Sequence, residues 1–194
     1  DVEKPLPMIY QSGYLTIKDY NEEDNTFLLD FPNNEVKNGF LTVVAADYLK
    51  PSVDVESWIR EAVAALKKGD PDKFRRMLTS FLSDIPYSMR RKENEREKER
   101  YFHYTFYLLL RLVSVYTVYT EKQQSEGRVD CIIETDAYVY IFEFKLDGTA
   151  DEALRQIGEK GYARPYLDDP RKLYRIGVSF SSETGTVDDW KVAE

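Results

Sequence analysis

The sequence predicts a fold of the α/β (α+β) class, a central mixed sheet flanked by helices, preceded by a hairpin and a group of helices. Three observations carry this. The runs Arg128–Ile133, Tyr138–Leu146 and Leu173–Phe180 are rich in β-branched and aromatic residues, as strands are. Helical periodicity fills Lys92–Ser114 before them and Asp151–Tyr162 between the second and third. At 42% hydrophobic and 14% aromatic, the 194 residues suffice to bury a proper core.

In chain order, Tyr14–Ile17 and Thr26–Asp30 read as short strands of a hairpin, with the acidic stretch Asp19–Asn25 as a solvated loop. Asn33 or Asn34 suits an N-cap for a helix from about Glu35 to Tyr48, which Pro51 breaks. Val55–Lys67 carries Trp58, Ile59, Ala62, Val63 and Leu66 at helical spacing. Gly69-Asp70-Pro71-Asp72 ends that helix and caps the next, whose apolar stripe is Phe74, Met77, Leu78, Phe81 and Leu82. A long helix, Lys92–Ser114, follows, densely charged at first and apolar from Tyr101. Val115–Thr120 is then a strand candidate ahead of the three runs already named. The expected division is 1–90, a hairpin and helical region, and 91–194, an αβββαβ unit. The helices of the first region are expected to pack on that unit and restrict access to it.

The chemistry concentrates at Asp130 and, thirteen residues on, Glu143-Phe144-Lys145. Side chains alternate along a strand, so Glu143 and Lys145 share one face and Phe144 takes the other. If the two runs pair as a hairpin, Asp130 and Glu143 approach across the ladder. Two carboxylates and an ammonium can then hold a divalent cation and position a water beside it. The plainer alternative is a pair of exposed acids in ordinary salt bridges with Lys145 or Arg128. An acid amid buried strand residues needs a partner or a metal, which favours ligands.

Asp130…Glu143-x-Lys145 resembles the signature of the PD-(D/E)XK nuclease superfamily. Gly127-Arg128-Val129-Asp130, Phe142 to Leu146, Gln156-Ile157 and Lys160-Gly161-Tyr162-Ala163 resemble the branch found behind AAA-ATPase-like domains in bacterial, Bacteroidetes-type proteins. The resemblance covers roughly Glu93 to Trp190 and implies a restriction-endonuclease-like core. It implies a Mg²⁺- or Mn²⁺-dependent nuclease acting on DNA or, as an option, RNA. Asp130, Glu143 and the main-chain carbonyl of Phe144 would hold the metal, and Lys145 would assist the attacking water. It brings in Gln156 as a polar contact to water or substrate. Glu99 on the long helix joins as a further acid, with Glu95 and Glu97 as rivals. Arg128, Arg155 and Lys160 are weaker substrate candidates, equally readable as surface charge, and Tyr162, on a different helical face from Gln156, is a weak substrate-contact candidate.

The net charge of −8 works against a nucleic-acid partner, since phosphate is usually held by a surplus of Lys and Arg. It favours a second reading, in which the nuclease fold is kept as a binding module without catalysis. The single cysteine, Cys131, makes neither an internal disulfide nor a cysteine-rich zinc site, and the single histidine, His103, reads as a packed side chain. No run approaches the length of a membrane span, and neither a signal peptide nor a Walker A loop is present. A cytoplasmic setting is expected. The chain starts without Met, which with the resemblance points to a fragment of a longer protein carrying an ATPase-like domain upstream.

Overall fold

The computed structural model describes residues 6–49, 54–85, 105, 108–113, 123–124, 127–128 and 131–194. The chain divides into two compact units, residues 1–44 and 45–194.

The first unit contains α1 (Leu6–Gln11), β1 (Thr16–Asn21), β2 (Thr26–Asp30) and the start of α2 (Asn34–Leu49). β1 and β2 form the antiparallel hairpin the sequence predicts, with a register shift between Ile17 and Asp19. Its turn is closed by Asn21, whose side-chain oxygen accepts from the Glu23 amide at 2.9 Å, while Asn25 takes the left-handed backbone (φ 51°) that Asn tolerates. Phe40 of α2 packs near Tyr14 and Phe31, with ring centroids 5.1 and 5.5 Å away. Asn33 caps α2 by accepting from the Val36 amide.

The second unit is built on a four-stranded mixed sheet of β5 (Cys131–Glu134), β6 (Tyr138–Leu146), β7 (Lys172–Phe180) and β8 (Val187–Ala193), in that spatial order. β6 and β7 are parallel; the two outer pairings are antiparallel. A parallel pair needs a crossover, and α5 (Ala150–Glu159) supplies it. A further two-stranded ladder joins β3 (Gln123–Gln124) to β4 (Gly127–Arg128). Residues 105 and 108–113 are helical, as expected for the long helix, while the predicted strand Val115–Thr120 falls outside the described residues.

The pleat gives the sheet two unlike faces. One carries an aromatic ladder: Tyr140 stacks on Tyr174 across the parallel pair (5.3 Å, 13°), and Phe142 stacks on Phe144 (6.0 Å, 15°). α3 (Val55–Lys67) and α4 (Pro71–Asp84) cover this face. Phe74 of α4, fully buried, lies 6.0 Å from Phe142 and 6.4 Å from Trp190, and the Tyr140 hydroxyl donates to the Leu66 carbonyl at 2.6 Å. Gly69 turns the chain between the helices at φ 73°, and a Cβ there would lie 2.4 Å from the Tyr138 ring. Asp54 and Asp70 cap the two helices by accepting from Ser57 and Lys73 amides.

The other face packs Ile132, Val139 and Ile141 against Ile157 of α5 and against Tyr162 and Tyr166 beyond it. Glu143 and Lys145 continue this second face along β6. The two sequence-predicted helices α3 and α4 therefore do pack on the sheet, but on the side opposite Glu143. Their apolar stripes meet the aromatic ladder, so what α3 and α4 cover is that face of the sheet.

Candidate functional site

The polar end of the second face is assembled by three elements. β6 presents Glu143 and Lys145 two residues apart, and α5 lays Gln156 over both. Glu143 is 2% exposed, so its carboxylate has given up nearly all bulk water and needs polar neighbours. Gln156 donates its side-chain amide to Glu143 Oε1, and the Lys145 ammonium donates to Gln156 Oε1 at 2.6 Å. Lys145 Nζ stands 3.6 Å from Glu143 Oε1, closing a triangle of acid, amide and ammonium. Lys145 remains 30% exposed, so the triangle opens to solvent on the lysine side.

Close approach of α5 is made possible by β7. Gly177 is the register partner of Glu143, and a Cβ on it would lie 2.2 Å from the Ala150 carbonyl oxygen. Only a residue without a side chain lets the first turn of α5 rest on the strand there. Ser179, the partner of Lys145, is fully buried and donates to the Gly148 carbonyl at 3.0 Å. Asp147 adopts φ 53° and accepts from the Ser182 amide at 2.7 Å, and Asp189 of β8 accepts from the Ala150 amide at 2.9 Å. Thr149 and Glu152 complete a capping box. The loop from Lys145 to α5 is thus tied on both sides, which fixes where Gln156 falls. Ser179, Asp189 and Gly177 had no motif to mark them, since each matters through a contact made across the fold.

Of the other candidates, Asp130, Glu99, Glu95, Glu97 and His103 lie outside the described residues. Arg128 is in β4, paired with Gln123. Arg155 is exposed on α5 and reaches Glu159 at 3.8 Å, an ordinary i,i+4 pair, and Lys160 is the exposed C-cap of that helix. Phe144 follows Glu143 in β6 with its ring on the aromatic face. Tyr162, at 1% exposure, is a member of the hydrophobic cluster with Ile157 of α5. Cys131 is buried, its register partner being Phe142.

At the far end of the same face, Glu134, Asp169 and Arg171 form a second ionic group. Arg171 meets Glu134 at 2.9 Å and Asp169 at 2.6 Å, and the Tyr166 hydroxyl donates to Glu134 at 2.9 Å. The Arg171 hydrogen bond holds the Asp169 carboxyl down to about 2. This group joins the end of β5 to the start of β7, with one guanidinium shared by two carboxylates.

Among the described residues no three Asp, Glu, His or Cys side chains converge as a cation cage. The Glu143 carboxylate, which faces the Gln156 amide nitrogen, is a hard donor of the kind Mg²⁺ and Mn²⁺ take. The site fits a hard divalent cation in kind and supplies one carboxylate from β6. No helix among the described residues is long and apolar enough to cross a membrane.

Comparison with known proteins places this geometry. A protein of Azotobacter chroococcum mcd 1, named as an uncharacterized protein in the vnfD 5' region, is 28% identical over 184 residues. The match takes in 93% of this chain and 36% of the relative, so the chain spans little more than a third of that protein's length. No solved structure matches. The family model of the PD-(D/E)XK nuclease superfamily matches residues 97–190, the stretch that holds β5, β6, α5 and β7. With its mixed sheet, crossover helix and Glu143-x-Lys145 on one strand, residues 97–190 are a PD-(D/E)XK nuclease superfamily domain of restriction-endonuclease-like fold.

Proposed function

We propose that this domain is a metal-dependent nuclease hydrolysing phosphodiester bonds, with DNA as the first substrate to test and RNA as the second. The observation that carries the reading is the meeting of Glu143, Lys145 and Gln156 at the open end of one sheet face, within a nuclease-superfamily domain. A carboxylate buried among apolar residues is costly to keep in a scaffold, and it is the donor a hard cation requires.

In this reading Glu143 and Asp130, the chain neighbour of Cys131 at the start of β5, hold Mg²⁺ or Mn²⁺. The Phe144 main-chain carbonyl and Glu99 are further donors in the same proposal. Bound metal lowers the pKa of water and neutralises phosphate charge. Lys145 sits at the solvent edge of the triangle, where its ammonium donates to the attacking water and to a phosphate oxygen. Before a cation binds, Gln156 holds Lys145 through its carbonyl oxygen. Arg128 and Arg155 are proposed to meet the substrate backbone, where guanidinium groups suit phosphate. An ATPase-like domain in a longer full-length protein is the proposed partner.

The test is cleavage of labelled single- and double-stranded DNA and RNA with Mg²⁺ or Mn²⁺, with Asp130→Ala, Glu143→Gln and Lys145→Ala beside the parent chain. Metal-dependent cutting that disappears in all three variants is expected. Cutting that persists in Glu143→Gln and Lys145→Ala would sink the assignment. Absence of cutting alongside retained nucleic-acid binding would favour the non-catalytic module that the net charge of −8 favours.

A further inference from the structure

Gln156 does more than lie near the acid and the lysine. An ammonium has only donors and an ionised carboxylate only acceptors, so an amide set between them has one workable orientation. Gln156 takes it, offering its oxygen to Lys145 and its nitrogen to Glu143 Oε1. Both functional side chains are therefore tied to the same amide on α5.

We propose that Gln156 is a positioning residue that competes with a divalent cation for Glu143 and couples cation entry to release of Lys145. The inference rests on the metal-dependent reading of the site. A cation bound to a carboxylate oxygen sits roughly 2.0–2.2 Å from it. The amide nitrogen carries positive partial charge and already sits on Oε1, so a cation that takes that same oxygen must displace it. Displacing the amide swings its oxygen as well, and Lys145 loses its 2.6 Å acceptor. The ammonium, already 30% exposed, then has a further N–H to offer at the solvent edge once the carboxylate is loaded. This ordering keeps the lysine bound to the protein in the absence of metal.

The measurement is Mn²⁺ affinity of the full chain by titration calorimetry or by the electron paramagnetic resonance of free Mn²⁺. Gln156→Met keeps the length of the side chain and removes both polar ends. It is expected to bind Mn²⁺ about ten- to a hundredfold more tightly, the size of a lost competing hydrogen bond to a charged group. A second observation needs no variant: the side-chain amide resonances of Gln156, assigned by ¹⁵N labelling, are expected to shift on adding diamagnetic Mg²⁺. Unchanged or weaker binding by Gln156→Met, or amide resonances indifferent to Mg²⁺, would overturn the inference. Glu143→Gln separates the two levels. If it abolishes Mn²⁺ binding while Gln156→Met binds like the parent chain, the competition is refuted and the metal site stands. If the parent chain takes up no Mn²⁺, both fall together.

Discussion

The contact between α5 and β7 can be tested by adding one methyl group. In Gly177→Ala the new Cβ would stand 2.2 Å from the Ala150 carbonyl oxygen, 3.0 Å from its carbon and 3.1 Å from Leu154 Cγ. Ordinary contact begins near 3.4 Å, so the first turn of the helix must retreat by about 1.2 Å. The nearest obstacle, the Ala150 carbonyl, is main chain, and no rotamer relieves it. Overpacking of this kind costs about 1–3 kcal/mol. Taking about 2 kcal/mol, a unit of this size should melt roughly 4–8 °C lower. The same retreat draws Gln156 away from Glu143 and Lys145, so Mn²⁺ affinity should change with stability. Urea unfolding followed by tryptophan fluorescence is the assay, because both tryptophans, Trp58 and Trp190, belong to the second unit. Gly158→Ala is the control. It makes the same chemical change on α5 itself, where a Cβ meets nothing within 4 Å, and should stabilise by about 0.5–1 kcal/mol. Opposite signs for the two glycines are the expected outcome. A Gly177→Ala protein as stable as its parent would mean that α5 does not rest on β7 as described.

Further expectations concern the aromatic face and the distal ionic group. Phe74→Ala removes a fully buried ring between Phe142 and Trp190, and should cost about 3–5 kcal/mol in urea unfolding with a changed Trp190 emission. Tyr140→Phe deletes the donor to the Leu66 carbonyl and should cost about 0.5–1.5 kcal/mol. Burial raises the Tyr140 pKa, so the protonated hydroxyl's contribution is whole below the ordinary tyrosine range and is lost as pH climbs through the raised value; the Tyr140→Phe difference in urea midpoint should narrow on alkaline titration. Asp169 behaves oppositely. Its carboxyl is held at about 2 by Arg171, so its stabilising effect is complete above the ordinary aspartate range and fades as pH falls towards 2. The difference in urea midpoint between Asp169→Asn and the parent should therefore shrink between about pH 4 and pH 2, and a constant difference across that window would refute the pairing.

Much of the sheet was readable because its strands are strongly patterned. Tyr138–Leu146 was delimited from the sequence at the bounds it has in the structure, and Leu173–Phe180 within one residue, since both are long and buried on both faces. β8 escaped notice. Only Trp190 of its seven residues is buried, and Asp188, Asp189 and Lys191 give it the look of a loop. α1 has no buried residue and left no periodic trace. The stripes of α3 and α4 announced helices, but a stripe does not say which sheet face it will meet. Within the site, Glu143 and Lys145 followed from strand alternation, and Gln156 only from resemblance, because a lone polar residue on a helix is usually surface. Gly177 was silent for a physical reason: close approach is a property of two segments, 27 residues apart here between Ala150 and Gly177, and neither reports it alone.

The start of α5 bears on how phosphate could be recognised. A helix N-terminus is ordinarily a ready anion site, its unsatisfied amides and positive dipole end open to a ligand. Here the protein's own oxygens already take two of those amides: Asp189 accepts from Ala150, and Thr149 from Glu152. Asp151 and Glu152 add negative charge to the same turn. The end of the helix nearest Lys145 thus has little dipole left to offer, and a phosphodiester approaching it meets carboxylates, of which Asp151 is paired with Lys191. Whatever attraction a polyanion feels here must come from mobile side-chain cations and bound metal, so its grip should loosen steeply as salt is raised.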